Sequence, residues 1–139
     1  MKKKEVYFKN KTDIIKLYQD VNTSIWFFEF KKSIFFQTSV FWRLSHKGKI
    51  IFTSCDNNKK YIFNKPKIDL ALDVLKYIND RKLICIKRIK KSSDLVFIFQ
   101  DNIKITFYLS SIAFENWNLH INKKQYICIG GGEIAVFNN

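Results

Sequence analysis

The spacing of apolar and polar positions changes several times along the chain, and each change marks an element. Over residues 12–21, Ile14, Tyr18 and Val21 stand at i, i+4 and i+7 with Asp13 in the first turn, which predicts a short amphipathic N-terminal helix. From Ser24 the pattern turns aromatic and β-rich. Ile25, Phe27, Phe28 and Phe30 run into a Lys31-Lys32-Ser33 turn, and Ile34 to Leu44 continues beyond it, so a hairpin is expected. A turn at His46-Lys47-Gly48, where glycine supplies a positive φ, leads to a third antiparallel strand over Lys49 to Thr53.

Pro66 then introduces the strongest helical tract, 66–79, in which Ile68, Leu72, Leu75 and Ile78 share a face, Asp69 is available as N-cap and Asn79-Asp80 closes the helix. Strands are predicted over Leu83 to Ile89, Asp94 to Phe99, Ile103 to Leu109, Trp117 to Ile121 and Gln125 to Ile129, separated by polar turns.

The two halves share an order of residues. Phe28-x-Phe30, a turn, Ile34-x-Phe36 and Trp42-x-Leu44 are echoed by Phe97-x-Phe99, a turn, Ile103-x-Ile105 and Trp117-x-Leu119, with six extra residues before Trp117. The expected fold is therefore α+β. Two related three-stranded antiparallel units, 25–55 and 94–130, are joined by a central helix packed on the sheet, with the N-terminal helix beside them, in one domain of 139 residues.

Composition bounds this picture without deciding function. Hydrophobic residues make up 47% of the chain and aromatics 17%, enough for a core that needs neither disulfide nor metal, and too much for a disordered chain. The richest apolar stretch, Ile25 to Trp42, is broken by Glu29, Lys31, Lys32 and Gln37, so no membrane span is expected. Lys9, Lys11, Asp13 and Lys16 occupy the place where a secretory signal would be apolar. Cys55, Cys85 and Cys128 form no C-x-x-C pair. A cytoplasmic location is the expectation. The net charge of +13 favours an acidic partner, although abundant Lys, Ile, Asn and Phe together are also what an AT-rich genome produces.

Candidate chemistry is sparse. Neither His46 nor His120 has a further ligand at zinc-like spacing, and no cofactor or metal is expected. Cys55 with His46 is the one thiol–base pairing worth naming, and Asp56, Glu115 and Glu133 are carboxylates at turns or strand ends, where solvation is the ordinary state. Gly130-Gly131-Gly132 either presents backbone N–H groups to an anion or marks a bulge or strand crossing. Trp42 and Trp117, both before x-Leu, read as core anchors rather than stacking platforms. The pairs Lys59-Lys60, Lys90-Lys91 and Lys123-Lys124 fall in turns and make a phosphate-binding patch only if they converge.

Short stretches in a fixed order carry a resemblance. They are Trp42-Arg43-Leu44, Gly48-Lys49-Ile50-Ile51 running to Thr53-Ser54-x-Asp56, Asp94-Leu95-x-Phe97-x-Phe99, Glu115-Asn116-Trp117 and Gly131-Gly132-Glu133-Ile134, covering residues 40–136. In these the chain resembles a group of small uncharacterised bacterial proteins similar to immunity proteins of toxin systems, with Asn57 standing where the group's pattern has His.

The resemblance implies a non-enzymatic cytoplasmic domain that binds an acidic toxin domain and occludes it, with Arg43, His46, Asp56, Lys59, Lys60, Glu115 and Glu133 as candidate contacts. The alternative is a nucleic-acid or nucleotide-binding protein in phage defence or counter-defence, holding phosphates with Lys90, Lys91, Lys123, Lys124 and Gly131. Pairing of Phe-rich strand edges into a homodimer is a further option.

Overall fold

The computed structural model describes residues 4–57, 68–109 and 115–138. Its elements in chain order are β1 (Lys4–Thr12), β2 (Ile14–Gln19), β3 (Trp26–Phe30), β4 (Ile34–Thr38), β5 (Trp42–His46), β6 (Lys49–Thr53), α1 (Leu70–Ile78), β7 (Leu83–Ile89), β8 (Leu95–Phe99), β9 (Ile103–Phe107), β10 (Trp117–Ile121), β11 (Lys124–Cys128) and β12 (Ile134–Asn138). Short 3-10 turns follow β6, β8 and β11.

The strands form two six-stranded antiparallel sheets, ordered β1-β7-β8-β9-β5-β6 and β12-β11-β10-β4-β3-β2. Their inner faces pack together as a β-sandwich. This corrects the α+β expectation. The three-stranded units do not exist as separate sheets: β3 and β4 lie in one sheet while β5 and β6 cross to the other, and β8–β9 and β10–β11 cross in the opposite sense. The cross-over at residues 39–41 was invisible because Ile34 to Leu44 is β-rich throughout and holds no glycine or proline to mark a break.

The N-terminal helix is also overturned, since residues 4–19 are two strands. In β2 a register shift between Ile14 and Lys16 breaks the two-residue alternation, so Leu17 is buried while Ile15 and Tyr18 are exposed. Without that alternation the spacing of Ile14, Tyr18 and Val21 imitates a helix, yet Val21 is 87% exposed. In β1, two register shifts against β7 disguise the strand in the same way.

The core begins with four rings, two from each sheet. Phe36 sits 4.9 Å from Phe97 and 4.6 Å from Phe107, and Phe28 lies 5.2 Å from Phe107, mostly in edge-to-face or tilted contact. Geometry of this kind adds about 0.5–1.5 kcal/mol per pair beyond the burial of apolar area. Trp42 and Trp117 are fully buried on either side of this cluster, Trp42 against Trp26 and Phe28, Trp117 against Tyr7 and Phe36.

The one helix is capped as its residues dictate. The Asp69 carboxylate accepts from the Leu72 N–H at 3.2 Å, and Asn79, with φ 49°, ends the helix by donating its N–H to the Leu75 carbonyl. Its buried face is Leu70, Val74 and Ile78, whereas Leu72 is exposed. Instead of lying at the centre on a sheet, α1 packs beside the edge strands β2 and β6, with Tyr77 against Phe52 and Asn57 bonding both Gln19 and the Leu70 N–H.

Candidate functional site

Antiparallel order sorts the connections to two ends. The β3–β4, β5–β6, β8–β9 and β10–β11 turns and the α1–β7 link gather at one end, here the turn end. The connections after β4, β6, β7, β9 and β11 gather at the other, the loop end.

The turn end is built of tight, cross-bonded backbone. Positive φ values occur at Lys32, Ser33, Lys47, Gly48, Asn79, Asp101, Asn102 and Asn122, as short antiparallel turns require. Neighbouring turns then bond to one another. Lys47 N–H donates to Asn102 C=O at 3.1 Å, Asn122 N–H to Ser33 C=O at 3.0 Å, Lys31 N–H to Asp13 C=O at 3.0 Å and Gln100 N–H to Lys82 C=O at 2.9 Å. These bonds tie one sheet's turns together and the other's likewise, so the side chains on them project from a fixed frame.

Two carboxylates at this end are enclosed by cations. Asp13 accepts from Lys82 Nζ at 2.7 Å and faces Lys31 Nζ at 3.6 Å. The Lys82 hydrogen bond, with Lys82 and Lys31 charge behind it, outweighs partial desolvation and holds the Asp13 carboxyl below its ordinary range. Asp101 takes Arg81 Nη2 at 3.0 Å and His46 Nε2 at 3.2 Å on Oδ2, and Lys47 Nζ at 3.9 Å on Oδ1. Desolvation raises its pKa, but Lys47, His46 and Arg81 together bring it below the usual value.

His46 is central to this arrangement. Its Nδ1 lies 2.6 Å from the Tyr77 hydroxyl and its Nε2 lies 3.2 Å from Asp101 Oδ2, so each ring nitrogen has a hydrogen-bonding partner. Arg81 adds a bond from Nη1 to the Tyr77 carbonyl at 2.9 Å. The chain Tyr77–His46–Asp101–Arg81 clamps α1 to the β8–β9 turn. With both ring nitrogens engaged in this way, the imidazole acts as a tie between elements.

No ion pair among the described residues engages Lys32, Lys49, Lys123 or Lys124, all exposed at the turn end. The end therefore presents uncompensated positive charge, with Asp80 as a further exposed carboxylate beside it.

The loop end differs in shape. Among the described residues, shallow clefts of about 270–280 Å³ open there beside Glu115, Thr38 and Trp117, between Gln19, Trp26 and Asn57, and beside Ser39, Ser54 and Cys55.

The sequence-derived candidates are divided between these ends. Among the described residues, His46 is the one proposed contact at the turn end. Arg43 sits near the loop end of β5, its Nε donating to the Tyr108 hydroxyl at 2.7 Å and its guanidinium 5.0 Å from that ring. Asp56 accepts from Thr53 Oγ1 at 2.8 Å after β6, while Glu133 is exposed before β12 on the opposite flank, so these two do not meet. Glu115 is exposed beside its cleft. Lys59 and Lys60 lie outside the described residues. Cys55 and His46 occupy opposite ends of β5 and β6 and cannot act as a thiol–base couple.

The phosphate-binding candidates are divided too. Lys90 and Lys91 are exposed at the loop end, and Gly131, with φ 80°, lies in the nearby turn before β12, where Ser93 Oγ donates to Gly132 C=O. Lys123 and Lys124 stand at the turn end, so the two lysine pairs make no common patch. Among the described residues no group of three or more His, Cys, Asp or Glu could hold a metal ion, and no helix is long and apolar enough to cross a membrane.

Sequence reasoning missed Tyr77, Arg81, Asp101, Asp13 and Lys82, and it treated Lys31, Lys32, Lys47 and Lys49 as isolated turn residues. The signal was present in part: Lys31-Lys32-Ser33 and Lys47-Gly48-Lys49 are hairpin turns on sight, but only the strand order brings them to one end. Compared with protein-family models, with characterised proteins and with solved structures, the chain matches none.

Proposed function

We propose that the protein is a non-enzymatic binding protein that docks an acidic protein surface on its turn end, most concretely as an immunity protein that occludes a bacterial toxin domain. The observation that supports this is the uncompensated lysine set, Lys32, Lys49, Lys123 and Lys124, on turns whose backbones are bonded to their neighbours. Preorganised charge of this kind speeds encounter with an oppositely charged partner and rejects like-charged ones. Asp13 and Asp101, already neutralised by Lys82, Lys31, Arg81 and Lys47, offer little repulsion to an acidic partner.

A nucleic-acid reading draws on the same lysines. Of the exposed rings among the described residues, Tyr18 and Phe41 lie toward the loop end or on an outer face, and Phe137, opposite Gln125, stands alone beside Lys124, whereas single-strand binders combine charge with several stacking rings. Lysine also lacks the bidentate geometry that reads bases.

The test is affinity capture from the source organism, together with coexpression of the neighbouring open reading frame. An acidic protein retained in stoichiometric amount, and growth rescued from its toxicity, is the expected result. Steeply salt-dependent binding of labelled oligonucleotides with no protein partner would overturn it.

A further inference from the structure

We infer that β12 is a self-association edge, through which two copies pair antiparallel and join their sheets into one. Each sheet has two edges, and three of the four carry features that discourage strand addition. The β1 edge has two register shifts and Glu5, Lys9 and Lys11; β2 has a register shift, Lys16 and α1 beside it; β6 has a register shift in its pairing with β5 and begins at Lys49. β12 has none of these. Its register against β11 runs unbroken from Lys124↔Asn138 to Cys128↔Ile134, and no residue from Ile134 to Asn138 is charged.

The open side of β12 has defined chemistry. Ile129 N–H donates to Glu133 C=O, so antiparallel alternation places the ladder-bonded residues at Ala135 and Phe137. Ile134, Val136 and Asn138 then turn their own N–H and C=O groups to the edge. Val136 shares a face with Ile134, which packs on the core, yet it is 51% exposed, and Phe137 on the other face is 50% exposed. Val136 is opposite Tyr126, whose ring lies 4.5 Å from that of Tyr7 in the facing sheet. The apolar face thus continues one strand beyond the sheet that should cover it.

Charge selects the occupant and its direction. Glu133 precedes β12, while Lys124 pairs with Asn138 at its far end. An antiparallel second copy brings each Glu133 toward the other copy's Lys123–Lys124 turn, whereas parallel addition sets lysine beside lysine. Full overlap of the edge-facing residues Ile134, Val136 and Asn138 gives a two-fold register, Val136 opposite Val136 and Ile134 opposite Asn138, which is the isologous contact of a closed dimer.

The test is sedimentation velocity over a concentration series, on wild-type protein and on Val136→Pro and Val136→Lys. Proline at 136 removes an edge-facing N–H and leaves the β11 ladder intact, so circular dichroism should be unchanged. Wild type should sediment at twice 16.6 kDa and both variants at 16.6 kDa. In a Cys55→Ser background, Val136→Cys should cross-link under mild oxidation, because paired Cα atoms about 5.5 Å apart fit a disulfide, while Phe137→Cys should not. A wild type that stays monomeric to its highest usable concentration, or a dimer that survives both edge variants without cross-linking at 136, would overturn the proposal.

Discussion

At the residue scale, the protein is held by rings meeting across the sandwich. Phe97 touches Phe28, Phe36 and Phe107 and is fully buried, so Phe97→Ala leaves a cavity that four strands cannot close. A loss of about 3–5 kcal/mol is expected in urea unfolding at neutral pH. The cysteines separate by environment. Burial pushes the Cys128 thiol up to about 11, whereas Cys55 is exposed. A thiol reagent at pH 8 should therefore modify Cys55 within the native protein and Cys128 only after denaturant is added. Equal rates at both would show that β11 does not seal the core. The burial of Trp42 and Trp117 was legible beforehand, because both stand before x-Leu in the same order of residues, and both are enclosed.

At the element scale, legibility followed the regularity of pairing. The strands from β3 to β11 were read within a few residues except that β4 and β5 were taken as one strand over Ile34 to Leu44; Phe28, Phe30, Ile34 and Phe36, or Phe97, Phe99, Ile103 and Ile105, alternate strictly and are buried. β1 and β2 were lost because register shifts erase the alternation, and β12 because Val136 and Phe137 are exposed and imply no buried face. The helix was found through its Asp69 cap, but its buried face was misassigned by taking Leu72 in place of Leu70 and Val74. Asp69→Ala should cost about 1 kcal/mol in denaturant unfolding. A cost near zero would mean that the Asn57 bond to Leu70 N–H anchors this end of α1 alone.

At the scale of the whole molecule, two properties emerged only from topology. The first is the sandwich itself: nothing in Ser39, Val40 and Phe41 announces that the chain changes sheet there. The second is polarity, with fixed lysine-bearing turns at one end and clefts at the other. The candidate contacts were chosen at turns and strand ends, apart from Arg43 within β5, and spacing along the chain could not show that His46 lies at the opposite end from Arg43, Asp56, Glu115 and Glu133.

The cation-ringed acids give this polarity a pH signature. Asp13 and Asp101 have depressed pKa values in the folded state, so their stabilisation is complete above the ordinary aspartate value of about 3.9 and fades as pH falls through the depressed values. Wild type should exceed Asp13→Asn and Asp101→Asn in urea midpoint at pH 7, and the differences should shrink below about pH 4. A difference that is constant with pH would assign these residues a role independent of charge.

The most direct measurement compares two equal changes of charge. Lys32→Glu with Lys49→Glu alters the turn end, and Lys90→Glu with Lys91→Glu alters the loop end by the same amount. Affinity of each double variant for the captured acidic partner would be measured by calorimetry at physiological salt. The turn-end variant should bind roughly hundredfold more weakly, because like charges then face each other across the interface, with the loop-end variant close to wild type. Equal affinities, or a loss confined to the loop-end variant, would contradict docking through the turns.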